Sequence, residues 1–150
     1  MLADEIRVNQ SALPWADDNK TLFYIVRDPT TLLGHRLMKH SLGSPITDDE
    51  LVSEEGDNTY YMSLGRTGDD RYIMLQMSST VADEVRYVRA DQPDADFQIL
   101  MERERDHEYD VDHIGQRWII RTNWQAENFR IVVAEDGAAD DRAAWKELVT

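Results

Sequence analysis

Short apolar runs separated by clusters of turn-forming residues are the main pattern along this chain, and they are clearest between positions 60 and 105. Four such runs lie there, at residues 60–64, 71–78, 84–89 and 97–102. Runs of this length, bounded by Gly, Asp, Ser and Pro, are typical of strands joined by tight connections. The pattern therefore predicts one four-stranded antiparallel meander.

The same pattern occurs twice more. A preceding copy has runs at residues 11–15, 22–26, 36–42 and 50–54, and a following copy at residues 107–111, 117–122, 128–133 and 145–149. Phe23, Tyr72 and Trp118 fall at matching places, 49 and 46 positions apart. A repeat of that length with four strands per unit is typical of β-propeller blades. We predict an all-β fold of three consecutive four-stranded antiparallel blades, at residues 11–55, 60–105 and 107–149.

The second run of each unit is apolar without alternation, at residues 22–26, 72–75 and 118–120. A strand of this kind is covered on both faces, as it is when neighbouring blades enclose it. Both ends of the chain leave alternatives open. Residues 1–10 fit the last strand of a preceding blade or a short helix. Residues 145–149 fit a fourth strand, and a helix starting at Arg142 behind Asp140 and Asp141 is the rival.

Charge and composition narrow the function classes. Thirty acidic and 16 basic residues give a net charge of −14, which repels phosphate backbones and attracts cationic ligands. We therefore expect no nucleic-acid partner. The chain has no cysteine, which removes disulfides and thiolate chemistry and fits a reducing cytoplasm. No apolar run reaches the roughly 18 residues of a membrane span, and the acidic N-terminus lacks signal-peptide order. We expect a cytoplasmic protein without membrane contact.

Candidate catalytic and metal-binding groups are few. None of the serines, at positions 11, 41, 44, 53, 63, 78 and 79, has the G-x-S-x-G setting of a nucleophile elbow. We therefore predict no catalytic residue in this segment. His107 and His113 lie six positions apart, ~20 Å along a strand, which is too far for one ion. No metal and no cofactor are predicted.

Several short motifs together carry a resemblance to a known family. They are PWADD at 14–18, LFY at 22–24, TLL at 31–33, KHSLG at 39–43, YYMSL at 60–64, SST at 78–80, EVR at 84–86 and DHEYDVDH at 106–113. In this combination they resemble the propeller domain of the prolyl oligopeptidase family of serine peptidases, in its oligopeptidase B (protease II) branch. The likeness extends over residues 2–149.

The resemblance implies a larger enzyme. Family members pair an α/β-hydrolase domain, which carries a Ser-Asp-His triad, with a seven-bladed propeller that admits unstructured peptides and excludes folded proteins. The oligopeptidase B branch cleaves after Lys or Arg. The hydrolase domain has no counterpart in these 150 residues, so we expect a gating and substrate-selecting segment whose partners are basic peptides and that domain. The alternatives are a free-standing acidic interaction module and a related peptidase that prefers proline or N-terminal dipeptides.

Two further expectations follow from propeller geometry. Side chains of the innermost strands face the axial channel, which makes Tyr60, Tyr61, His107, Glu108 and Tyr109 candidates to line it, although alternation turns about half of them into the blade. An arc of three blades also leaves its two outer faces uncovered. Uncovered apolar faces favour association, so we expect the chain to self-associate.

Overall fold

The computed structural model describes residues 13–149, and this part of the chain is built from three antiparallel sheets. In each sheet the strands are neighbours in chain order. We call the sheets blades 1, 2 and 3. Blade 1 contains β1 (Thr21–Arg27), β2 (Gly34–Ser41) and β3 (Glu50–Glu54); blade 2 contains β4 (Tyr61–Arg66), β5 (Tyr72–Ser78), β6 (Asp83–Arg89) and β7 (Gln98–Met101); blade 3 contains β8 (Tyr109–Ile114), β9 (Arg117–Thr122), β10 (Arg130–Glu135) and β11 (Lys146–Val149).

The predicted all-β architecture of successive antiparallel meanders is confirmed, with differences at the two ends. Blade 1 has three strands among the described residues, and the run expected at residues 11–15 is represented there by a single bridge between Trp15 and Leu22. Residues 11 and 12, and the blade remnant expected at residues 1–10, lie outside the described part. In blade 3 the fourth strand is confirmed as β11, and the rival helix is wrong beyond a single 3-10 turn (Arg142–Ala144) that precedes the strand.

Strand β5 explains why the second runs lack alternation. Ile73, Leu75 and Met77 are completely buried in the core shared with blade 1. Tyr72 and Met74 point to the opposite face and pack against the core shared with blade 3. Both faces of the strand therefore meet apolar neighbours, so an apolar residue is favoured at every position.

Two hydrophobic cores hold the blades together, one at each junction. The core between blades 1 and 2 contains Phe23, Ile25, Leu37, Tyr60, Met62, Ile73, Leu75, Met77 and Val88. The core between blades 2 and 3 contains Val85, Leu100, Met101, Tyr109, Trp118, Ile120 and Val132. Tyr72 and Tyr87 each lie with their ring centroids 5.1 Å from Trp118. The aromatic residues at repeat-equivalent positions thus pack between blades.

The turns that precede β1, β5 and β9 share a backbone conformation. Asn19 in blade 1, Asp70 in blade 2 and Gly115 in blade 3 all have positive φ angles, of 55°, 60° and 68°. Asn, Asp and Gly are the residues that tolerate this left-handed region best. A preceding Asp supports the first two turns, since Asp18 accepts the N–H groups of Lys20 and Thr21, and Asp69 accepts that of Arg71.

Candidate functional site

Among the strands that the structure describes, the first strands of blades 2 and 3, β4 and β8, each pair along one edge only. Their side chains alternate between buried and exposed. On β8, Tyr109 and His113 are buried, whereas Asp110 and Asp112 are exposed. On β4, Met62 is buried and Tyr61 is exposed. The exposed side chains of these two strands form the candidate substrate-facing surface.

Three of the five channel candidates are buried between blades. Tyr60 is 8% exposed and lies under the guanidinium of Arg103, which is 4.0 Å from the ring centroid. Tyr109 is 1% exposed, and its hydroxyl donates to the carbonyl of Met101 and accepts the N–H of Val85, each at 2.8 Å. These contacts give Tyr60 and Tyr109 roles at the blade junctions.

His107 is also buried and serves a structural contact. Its ring stacks on Tyr109 with centroids 5.0 Å apart, and its Nε2 atom lies 2.9 Å from the hydroxyl oxygen of Thr122. Burial lowers the pKa of His107, and the nearby positive charge of Arg142 lowers it further. The remaining candidates, Tyr61 and Glu108, reach solvent: Tyr61 is 52% exposed, and Glu108 is half-buried.

Sequence reasoning missed two acidic residues on the same strand. Asp110 and Asp112 are exposed on β8, next to the half-buried Glu108. The signal that could have found them is the alternation of Tyr109, Val111 and His113 with these acids, which places the acids on one face of a strand. Asp112 also accepts the backbone N–H of Gly68 at 2.7 Å, which ties β8 to the first turn of blade 2. The close approach favours a glycine there, because an added Cβ would lie 2.9 Å from an Asp112 oxygen and the carboxylate would have to move.

Charged side chains cross the junction between blades 1 and 2. Arg103 pairs with Glu84 at 3.2 Å and also with Glu55, which follows β3 of blade 1. Arg86 pairs with Glu84 at 2.8 Å and donates to the Ser53 hydroxyl at 3.0 Å. Burial raises the pKa of Glu84, but the hydrogen bonds from Arg103 and Arg86 outweigh it and hold that pKa below its ordinary value.

A histidine between two carboxylates crosses the junction between blades 2 and 3. The Nδ1 atom of His113 lies 2.6 Å from Asp69, in the first turn of blade 2, and its Nε2 atom lies 2.7 Å from Asp136, which follows β10. The imidazole is fully buried, and its centroid lies 4.7 Å from those of both Tyr72 and Trp118. Because the two nitrogens point to opposite sides of the ring, this trio cannot surround one ion.

Two features of the described residues bear on catalytic chemistry, namely the grouping of metal-binding side chains and the setting of the serines. Within residues 13–149, no group of three or more His, Cys, Asp or Glu side chains is arranged to hold a metal ion. The serines at 53, 63 and 78 lie within regular strands and not on a strand-to-helix turn. None of the helices in the described range is long and apolar enough to cross a membrane.

Comparison with models of protein families identifies the family to which this propeller belongs. Residues 1–150 match the model of the prolyl oligopeptidase N-terminal β-propeller domain. The chain belongs to the prolyl oligopeptidase family. This membership agrees with the resemblance and does not favour the free-standing interaction module. The three sheets described above are blades of that family's propeller.

Two curated relatives carry peptidase names. The chain is 45% identical to dipeptidyl aminopeptidase BI of Pseudoxanthomonas mexicana over 150 residues, covering 99% of this chain and 20% of that protein. It is 30% identical to protease 2 of Moraxella lacunata over 125 residues, covering 81% of this chain and 17% of that protein. The chain therefore spans about one fifth of the length of the relatives it matches.

Solved structures show the same fold. Oligopeptidase B from Leishmania major superimposes with a TM-score of 0.84 at 22% identity, over 93% of this chain and 20% of that one. The closed form of oligopeptidase B from Trypanosoma brucei, with covalently bound antipain, gives a TM-score of 0.85 at 19% identity. That match covers 99% of this chain and 21% of the other. The order and stacking of the blades are thus those of oligopeptidase propellers.

Proposed function

We propose that this chain is the substrate-selecting propeller segment of a serine peptidase that cleaves short peptides, with the chemistry supplied by a hydrolase domain elsewhere in the same protein. The match of the whole chain to the propeller domain of a peptidase family carries the proposal. The absence of a nucleophile elbow from the 150 residues agrees with a gating role for this part. On this proposal the segment alone does not hydrolyse peptides.

For the substrate class we propose peptides with Lys or Arg before the cleaved bond. The support is electrostatic: Glu108, Asp110 and Asp112 lie along or beside one exposed strand edge, and the chain carries a net charge of −14. A wall of this sign attracts cationic peptides and raises their encounter rate. We further propose that Tyr61 and Glu108 line the route by which such peptides reach the hydrolase domain.

A second specificity is favoured by one observation. The relative that is 45% identical to this chain is named a dipeptidyl aminopeptidase, which is a name for an enzyme that releases dipeptides from free N-termini. The two specificities differ in what they demand of the substrate's amino end. The propeller is expected to serve either one in the same way, as a filter for unstructured peptides.

The test is an assay of the full-length protein that contains this chain, with fluorogenic peptides that place Arg, Ala or Glu before the cleaved bond. Each peptide is supplied with a blocked and with a free N-terminus. Cleavage of both Arg peptides, with Ala and Glu peptides left intact, supports the Lys/Arg specificity. Cleavage of free dipeptide substrates alone supports the second candidate. An absence of hydrolysis of every peptide contradicts the peptidase proposal.

Glu108 provides a residue-level prediction for the channel. Replacing Glu108 with Gln in the full-length protein removes one negative charge from the proposed wall and is expected to raise KM for Arg peptides roughly two- to five-fold at low salt. The effect shrinks above about 0.5 M salt, because mobile ions screen charges at this range. Steady-state kinetics at several ionic strengths provide the measurement.

The matched control is Asp96→Asn, which removes the same charge from the exposed loop between the two outer strands of blade 2. We expect unchanged kinetics for this variant. Equal KM values for wild type and Glu108→Gln at every salt concentration would remove Glu108 from the proposed route.

A further inference from the structure

Both ring nitrogens of His113 face carboxylate oxygens. Nδ1 lies 2.6 Å from Asp69 Oδ2, and Nε2 lies 2.7 Å from Asp136 Oδ1. Both distances are short for hydrogen bonds between nitrogen and oxygen. The imidazole is 0% exposed, so water cannot substitute for either partner. Asp69 belongs to blade 2, and His113 and Asp136 belong to blade 3.

Each carboxylate is itself held in place. Asp69 also accepts the hydroxyl of Thr67 at 2.7 Å and the backbone N–H of Arg71 at 3.2 Å. Burial raises the pKa of Asp69, but the hydrogen bonds from Thr67 and His113 outweigh it, so that the pKa lies below its ordinary value. The backbone N–H of Asp136 donates to the carbonyl of Gln116 at 3.0 Å, which fixes the loop after β10.

Groups from three other places in the fold also surround the imidazole ring. On β5, Tyr72 presents its ring to the imidazole, and on β9, Trp118 does the same. On β8 itself, Asp112 accepts the backbone N–H of His113 at 2.8 Å. From the first turn of blade 2, Arg71 places its Nε atom 3.9 Å from Asp69 and is therefore a weak competitor for that carboxylate. The two carboxylates remain the partners of the two ring nitrogens.

The donors and acceptors available on the three side chains fix the number of protons on the His113 ring. An ionised carboxylate only accepts, and a neutral imidazole donates from one nitrogen while the other carries a lone pair. Two donors are required at His113, and only the imidazolium has two. We propose that His113 is held as a doubly protonated imidazolium and acts as a charged clasp between blades 2 and 3.

The direct test is nitrogen NMR of the protein labelled with ¹⁵N-histidine, with rings assigned through correlations to their own backbone signals. At pH 7.5 both ring nitrogens of His113 are expected at the shifts of protonated nitrogen. His107 is the internal control, since its pKa is lowered and its Nδ1 faces Arg142 at 3.3 Å; it should show one unprotonated nitrogen. A lone-pair nitrogen on His113 at pH 7.5 overturns the proposal.

Measuring the stability of a variant provides a second, independent test of the clasp. Asp136→Asn keeps the side-chain shape and lets the amide accept from, or donate to, Nε2 in either protonation state. At pH 7 the urea midpoint of Asp136→Asn is expected to lie about 1 M below that of the wild type, because the variant loses a charge-assisted hydrogen bond at a buried site. Equal midpoints would overturn the clasp, and the wild-type NMR result stands whether or not the variant folds.

Discussion

Glu84 is the buried acid on which two arginines converge. Its side chain is 4% exposed, whereas those of Arg86 and Arg103 are 26% and 28% exposed. Burying an ionised carboxylate is costly unless hydrogen bonds replace its water, and here two guanidinium groups and the backbone N–H of Arg103 do so. Since Arg103 also reaches Glu55, one acid organises the charged contact between blades 1 and 2.

We predict that Glu84→Gln lowers the free energy of unfolding by about 2 kcal/mol at pH 7, because charge-assisted hydrogen bonds are lost from a buried site. The pKa of Glu84 lies below its ordinary value of 4.5 in the folded protein. A lowered carboxyl pKa contributes stability above pH 4.5 that is lost as the pH falls through the folded-state value. Urea unfolding of wild type and variant at pH 7 and at pH 3 should therefore show the difference shrinking in acid.

The matched control for Glu84 is Glu54→Gln. Glu54 forms a comparable pair with Arg36 at 3.1 Å, but the two side chains are 46% and 49% exposed. Exposed pairs contribute about 0–1 kcal/mol. If the two variants lose the same free energy of unfolding at pH 7, the buried network around Glu84 stabilises the junction no more than an exposed ion pair does.

At the scale of single strands, position within the blade decides the cost of a substitution. Ile73 on the second strand of blade 2 is completely buried against blade 1, while Ile99 on the outermost strand, β7, is 43% exposed. Both are isoleucines in antiparallel strands of the same sheet. Only the first is enclosed by a neighbouring blade.

We predict that Ile73→Ala costs about 2–5 kcal/mol of unfolding free energy, because it removes buried methyl groups and leaves a cavity. Ile99→Ala should cost less than about 1 kcal/mol, mainly through its strand preference. Chemical denaturation of both variants measures the difference. Equal losses would mean that the blades do not share a core at this junction.

At the scale of the whole molecule, one apolar face of blade 3 is uncovered in the described structure. It lies opposite the core that blade 3 shares with blade 2, and Ile114 and Leu148 on it are 58% and 57% exposed. Ile119 and Val133 lie on the same depression, with Arg117 and Glu135 paired at 3.1 Å beside them. The matching face of blade 2 packs against blade 3, so this face has the character of a blade junction without a partner.

We propose that the 150-residue chain self-associates through this face, since apolar patches of this kind promote contact between copies. Light scattering coupled to size exclusion should report a concentration-dependent dimer or higher oligomer. Leu148→Asp is expected to shift the population towards monomer at least several-fold, because it places a charge on the face. Leu32→Asp, at a 68% exposed turn position of blade 1, is the matched control and should leave the distribution unchanged. A wild-type monomer at all concentrations would contradict the proposal.

Strand positions were largely predictable from local sequence. Short apolar runs bounded by turn-forming residues predict strands, as the run that became β5 shows, and turns such as those at Asn19 and Asp70 require particular residues. The spacing of Phe23, Tyr72 and Trp118 then predicted stacked sheets, because a repeated strand pattern implies repeated neighbours. Fold class and repeat order were therefore determined by the sequence alone.

The tertiary structure decided which side chains meet across the blades. Alternation states that Tyr109 and His113 share a face, but only the packing of blade 3 on blade 2 turns that face inward and places His113 beside Asp69, 44 positions earlier. The same packing buries Tyr60 and His107 and leaves Tyr61 and Glu108 in reach of solvent. Local sequence encodes periodicity along a strand, whereas burial and charge pairing depend on the distances between strands that are remote in the chain.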